Sequence, residues 1–428
     1  MRRGALLLVL GAVSEVVYLL AVWQLPWWRY GGTLRSWREL LGPGRGAFWI
    51  CLVTLGLLAG VYLWGWRLVR DGRARRGIIW GFAGLFALTL FWLMPITSDL
   101  FLYLSRAHLF TDLRANPLLN VPLDFGAPLL QAYPADNASR TSVYGPSWVL
   151  MSALGTLGPY DVAIGLSWLK GLAVAAYMGC AWLLERILLQ LRPAAAMEGL
   201  YLFAWNPLVL LMAVGDGHND IVMMALVLFA VWLLLCRRWI LAFGTLALSL
   251  WIKYVSVIFL PFFVHYVWWR LSQDRGHEQR MVLAGSALVF VLVSVLLFSP
   301  FAVPQSFFQI VERLLWPANW PGGETALSAW GVGLGMLLFV PAYVVLGRRV
   351  VRSGGSFQQL GNACFVASLL AFLLGAARSQ PWHLVWPVSL AGLADRRWAW
   401  PVVTGLSIVL LVVQVWVEWG APGINGSP

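Results

Sequence analysis

The sequence predicts an all-α, polytopic integral membrane protein with about 13 transmembrane helices and interfacial helices on the loops of its outer face. Three observations predict it. Of 428 residues, 60% are hydrophobic and only 11% are charged, against roughly 25% charged in a water-soluble domain. Apolar runs of about 20 residues, the length that crosses a hydrocarbon core, recur from one end to the other. Arginines also gather between alternate runs, as the positive-inside rule requires.

The first run follows Met1-Arg2-Arg3. It lacks a small-residue cleavage site and similar runs follow it, so it reads as a span and not as a signal peptide. The groups Arg2/Arg3, Arg67–Arg76, Arg186/Arg192, Arg237/Arg238, Arg270–Arg280, Arg348–Arg352 and Arg396/Arg397 fit on the cytoplasmic side in one threading, and they hold 19 of the 30 basic residues. The N-terminus is then inside, the C-terminus outside, and the plasma (inner) membrane is the expected location. "PSWVLMSALGTLG" (146–158) is too short to cross and is expected to be interfacial or re-entrant. Arg29, Arg35, Arg38 and Arg45, with Trp27, Trp28 and Trp37, suggest an amphipathic surface segment. The expected organisation is an N-terminal hairpin (1–76), a main transmembrane region (77–397) with an outer loop at 96–145, and a last helix with its tail (398–428).

The net charge of +12 fits loops facing anionic membrane lipid and gives no reason to expect nucleic acid. Cys51, Cys180, Cys236 and Cys364 have no paired spacing, and the five histidines show no metal-ligand spacing, so no disulfide framework, metal or other cofactor is expected.

Polar residues concentrate on the outer face. "TSDLFLYLSRAHLF" opens the long loop, with Asp99 in register with Tyr103 and Arg106 if a helix starts there. Asp99 is read either as a helix-start acid, with Ser98 or Thr97 capping, or as a general base at the membrane surface. Lys253, in the turn of a short hairpin at 239–270, is either a site cation or a snorkelling side chain. Lys170, about two turns into its span, raises the same question, and Glu15 in the first span is expected only to face a neighbouring helix. "GDGHND" (215–220) permits a tight turn with Asn219 or Asp220 as cap, yet four polar side chains exceed what a turn needs. "SQPWHLVWPV" places Gln380, Trp382 and His383 where a span meets the outer surface. An aromatic belt accounts for the tryptophans but not for the glutamine and histidine.

At these residues the chain resembles the GT-C glycosyltransferases. It is most similar to the bacterial polyprenol-phosphate-mannose-dependent α-mannosyltransferases, through "SDLFLYL", "ANPL", "VYGPSW", "WNPLVLLMAVGDGHND" and "QPWHLVWP" in that order. It departs at Asn116-Pro117-Leu118, where the third residue is usually Tyr, and at Ser105-Arg106, usually Gly-Arg. The matched stretches run from about residue 80 to 395, after the N-terminal hairpin. The resemblance implies an outer-face active site, no metal and an inverting single displacement. It implies a polyprenyl-phosphate sugar as donor and a glycan or lipid-linked acceptor, with mannose favoured and glucose or a pentose as alternatives. Asp99 matches the catalytic carboxylate. Arg106, Lys253, Arg313 and Lys170 are the cations expected at the donor phosphate. Tyr103, Asn116, Tyr144, His218, Asn219, Asp220, Gln380, Trp382 and His383 are expected at sugar or acceptor. A transporter or flippase of lipid-linked sugar is the rival reading. Against it, the chain shows no internal repeat and its polar candidates lie mostly on one face. Oligomeric state is not legible.

Overall fold

The computed structural model describes residues 2–30, 37–72, 74–125, 139–157, 161–274, 276–301, 326–375 and 380–419. Helices account for nearly all regular structure, and among the described residues the only strand-like pairing is an isolated bridge between Pro26 and Leu93. In chain order the helices are α1 (Arg2–Gln24), α2 (Trp37–Leu41), α3 (Arg45–Arg70), α4 (Arg76–Leu90), α5 (Asp99–Thr111), α6 (Pro146–Ala153), α7 (Val162–Leu191) and α8 (Pro193–Ala204). There follow α9 (Asp220–Leu235), α10 (Trp239–Leu250), α11 (Leu260–Asp274), α12 (Gly276–Phe298), α13 (Ala326–Ser353), α14 (Phe357–Leu374), α15 (Val385–Ala391) and α16 (Arg396–Trp419).

Among the described residues, eight helices are long and apolar enough to cross a membrane. A ninth span results if α8 and the π-helical turn Val209–Gly215, bent by 59° relative to each other, cross together. Reaching the expected thirteen also requires the shorter apolar helices α4, α9 and α10 and the stretch 381–391. Helix α6 is only eight residues long, continues into the three-residue turn Leu154–Thr156 and packs on α5 and α7, the arrangement of a non-spanning element.

Local chemistry explains the two breaks that matter. Proline cannot continue the hydrogen-bond ladder, and Asn206 before Pro207 takes over as cap, its side-chain oxygen accepting from Leu208 N and Val209 N at 3.0 and 3.3 Å. The next turn widens to a π-helix, with Asp216 N donating to Leu211 O at 2.8 Å. Such widened turns recur at functional sites. Gly217 follows with φ +74°, a left-handed conformation that glycine adopts without a Cβ penalty.

The most buried elements, α7, α8, the 209–215 turn and α9, form the centre, whereas α12 and α13 present rows such as Leu288, Val291, Leu292, Val295 and Leu337 outward. In a membrane protein those rows face lipid chains. The N-terminal hairpin is fastened to this centre. Thr89 of α4 donates to Glu15 of α1, the neighbour expected for that acid, and Tyr62 of α3 donates to Leu202 O. At the end rich in arginine, Arg76 grips Glu185 with two bonds of 2.6 and 2.8 Å.

Candidate active site

The site lies at the opposite end, where four connections meet: those after α4, after the 209–215 turn, after α10 and after α14. Helix α5 starts at Asp99, and one turn later Tyr103 returns to it. Neither Ser98 nor Thr97 caps this helix with its side chain. Asp99 is the first-turn acid of this helix, and its carboxylate makes side-chain contacts across the site. Its Oδ2 accepts from the hydroxyls of Tyr103 and Tyr144, both at 3.3 Å, and lies 3.3 Å from His218 Nδ1. Among the described residues nothing bonds to its Oδ1, and the side chain is 19% exposed. One oxygen is therefore tethered three ways and the other is open.

His218 is buried, with Nε2 2.7 Å from Asp216 Oδ2 and Nδ1 facing Asp99. The two contacts are ion-pair distances and not formed hydrogen bonds, and a carboxylate on each side of the ring favours the charged imidazolium. Burial opposes that charge, yet Asp216 and then Asp99 lift the imidazole to about 9. Burial likewise works against the Asp99 carboxylate. The close approach and charge of His218, with the charges of Lys253 and Arg106, outweigh it and hold Asp99 below its ordinary value. Trp382 stacks on the His218 ring, centroids 4.0 Å apart.

Asp220 begins α9, but neither it nor Asn219 caps that helix with its side chain. Its buried carboxylate instead receives Lys253 Nζ at 2.8 and 3.0 Å and the indole N–H of Trp386. Lys253 also lies over the rings of Tyr144 and Trp386, 5.9 and 5.3 Å from their centroids. The "VYGPSW" stretch locks onto this turn through Gly145 N to Ile252 O and Ser147 N to Trp251 O, at 3.3 and 3.0 Å. A Cβ at Gly145 would run into the Trp251 carbonyl, which accounts for the glycine there.

Arg106 is buried with one hydrogen bond, to Thr141 O at 3.1 Å, and its Nε and Nη1 are unpartnered among the described residues. Asn219 is fully buried with both amide atoms unpartnered. Buried polar atoms left unpaired cost free energy, so these are the places where a polar ligand would add bonds. Among the described residues no cluster of His, Cys, Asp or Glu suits a metal ion.

Other expected residues are placed elsewhere. Asn116 spends its side chain on backbone, its oxygen accepting from Leu118 N and its nitrogen donating to Phe301 O, both at 3.0 Å. Lys170 is fully buried beneath the 215–220 turn and donates to Gly215 O, so it props the turn and does not line the opening. Gln380 is exposed, its N–H donating to His383 Nδ1 at 3.2 Å, and His383 stacks on Trp386. Arg313 lies outside the described residues.

A family model described as "Alpha-(1->6)-mannopyranosyltransferase, N-terminal domain" matches residues 7–270, more than half of the chain. The chain belongs to the alpha-(1→6)-mannopyranosyltransferase family. A relative, alpha-(1→6)-mannopyranosyltransferase A of Mycobacterium tuberculosis, is 26% identical over 94% of this chain and 80% of its own length. This family member is thus a glycosyltransferase built as a multi-pass membrane protein, and its membership supports mannosyl transfer. The match starts at residue 7, so the family's shared region takes in the N-terminal hairpin as well as Asp99, the 215–220 turn and Lys253. Two residues of the candidate site were given no role from sequence: Asp216, noted only as one of the four polar side chains of the 215–220 turn, and Trp386. Both sit inside the motifs that carry the resemblance, and that position was the available signal.

Proposed function

We propose that this enzyme moves a mannosyl group from a polyprenyl-phosphate donor to an acceptor hydroxyl at the outer face of the membrane, by a single inverting displacement with Asp99 as general base and no metal. The observation that carries the reading is the state of Asp99: one oxygen fixed by Tyr103, Tyr144 and His218, the other open. A base needs that asymmetry, with an orienting grip on one side and room for the incoming hydroxyl on the other.

The acceptor oxygen forms a bond to the anomeric carbon as the bond from that carbon to the phosphate oxygen breaks. The bonding pair leaves with the phosphate, and the hydroxyl proton passes to Asp99 Oδ1. The products are a glycoside and polyprenyl phosphate. Leaving-group charge grows on the phosphate, and preorganised cations in a poorly solvated site stabilise such charge most effectively. Arg106, with its two unpartnered nitrogens, and Lys253 are in place for this. Asn219, with a free donor and acceptor, suits sugar hydroxyls, and the exposed part of the Trp382 ring suits an apolar sugar face.

A lipid-borne donor also fits the depth of the site. Helix α10 has 12 residues, a rise of about 18 Å, against a hydrocarbon core of about 30 Å. Lys253 just beyond it is thus recessed towards the lipid. The test is turnover of radiolabelled polyprenyl-phosphate mannose by purified protein in nanodiscs, compared with a nucleotide-linked mannose and with the Asp99→Asn protein. Turnover of the nucleotide sugar alone would overturn the donor assignment.

A further inference from the structure

The mechanism leaves one buried acid without a task. Asp216 is fully buried and sits a layer behind the reacting groups. Its Oδ1 accepts from Ile96 N at 2.7 Å and Thr97 N at 2.9 Å, the last backbone groups before the turn into Asp99. Its Oδ2 meets His218 Nε2 at 2.7 Å, and His218 Nδ1 meets Asp99. The same carboxylate thus holds Asp99 by two routes, through the 96–97 backbone and through the imidazole.

We propose that Asp216 is a positioning residue for the transfer, holding the His218 ring so that its Nδ1 edge stays beside Asp99 Oδ2 and leaves Oδ1 turned towards the acceptor. A purely structural acid at this place would need only the two backbone N–H groups. The second oxygen on the imidazole is the additional feature. An imidazole held on one nitrogen by a carboxylate presents its other nitrogen in a defined direction, as in sites where a carboxylate orients a catalytic histidine. Here the oriented ring acts on the base itself. Other charged groups around this line are Lys170 under Asp216, Lys253 and Arg106 facing Asp99, and Glu418 on α16, whose field reaches Asp216.

The proposal rests on Asp99 as base, and the experiment separates the two ideas. In Asp216→Asn the amide oxygen still accepts from Ile96 and Thr97, so the backbone grip survives while the anionic hold on the ring is lost. The expected result is a fall in kcat on the order of 10²-fold, with KM within about twofold. The double variant Asp216→Asn/His218→Gln should be no slower than His218→Gln alone, because the acid acts through the ring. Losses that multiply, or an Asp216→Asn protein with kcat within about twofold of wild type, overturn the proposal and leave Asp99 untouched. An active Asp99→Asn protein would instead remove the base reading. The unmutated protein gives a second readout through ¹⁵N-histidine spectra, with the His218→Gln protein assigning the signal. Both ring nitrogens protonated at neutral pH is expected, and a neutral ring contradicts the clamp.

Discussion

Removing Lys253 should damage folding and catalysis by different amounts, and the structure says how to separate them. The Asp220 carboxylate is wholly buried and is held by two ammonium contacts, at 2.8 and 3.0 Å, plus one indole N–H. Lys253→Met removes both ammonium contacts and leaves a buried anion with Trp386 alone. Breaking one side of a buried pair costs about 3–5 kcal/mol. Adding Asp220→Asn removes the stranded charge while its amide oxygen still accepts from Trp386, so most of that loss should return. Catalysis should not return, because the cation proposed at the leaving phosphate is gone from both proteins. Removing one preorganised charge stabiliser lowers kcat by about 10²–10³-fold. Equilibrium unfolding in mixed micelles reads the first effect, and turnover of polyprenyl-phosphate mannose in nanodiscs reads the second. A Lys253→Met protein as stable as wild type would refute the buried-pair argument. A double variant that regains turnover would refute the role of Lys253 at the phosphate.

Two further outcomes follow from the same geometry. The His218 imidazole is raised from its ordinary 6.5 to about 9, so its ion pairs stabilise the fold fully below pH 6.5 and that contribution is lost as the pH climbs through 9. The shift corresponds to about 3 kcal/mol. Unfolding free energy should decline over this window in wild type and not in His218→Gln, and equal slopes in the two would contradict it. Gly145→Ala pushes a methyl group into the Trp251 carbonyl and should cost about 1–3 kcal/mol. Turnover should fall with it as Tyr144 and Lys253 are pried apart, and wild-type turnover in that variant would show that their registration is unimportant.

Sequence alone pointed to those parts of the candidate site whose signal is helical spacing or the crowding of polar residues. Asp99, Tyr103 and Arg106 are spaced four and three residues apart, which puts them on one helix face, and Tyr103 does return to Asp99. The crowding of "GDGHND" signalled more than a turn, and its residues do meet Asp99 and Lys253. Partner choice was not legible, because it is settled between connections 33 to 166 residues apart. His218 was expected at sugar hydroxyls and is instead enclosed between two acids. Asn116 and Asn206 occur in the same Asn-Pro-Leu triplet, and both fold their side-chain oxygen onto the N–H two residues on. That local bond is available to any Asn in such a turn, so it explains Asn116 without a ligand. Lys170 has the composition of a site cation, but only the π-helical turn shows that a backbone carbonyl at Gly215 captures it. The caps expected at Thr97, Ser98, Asn219 and Asp220 are absent because those side chains, or the backbone beside them, belong to the site or its supports.

The most direct measurement is single-turnover transfer from radiolabelled polyprenyl-phosphate mannose by wild-type and Asp99→Asn proteins, both monodisperse and equally stable in nanodiscs. The substitution keeps the shape of the side chain and an acceptor for Tyr103 and Tyr144 but cannot take up a proton at neutral pH. Loss of general-base assistance is expected to slow transfer by at least about 10²–10⁴-fold, with donor binding retained. Transfer by Asp99→Asn at the wild-type rate would contradict the account at its centre.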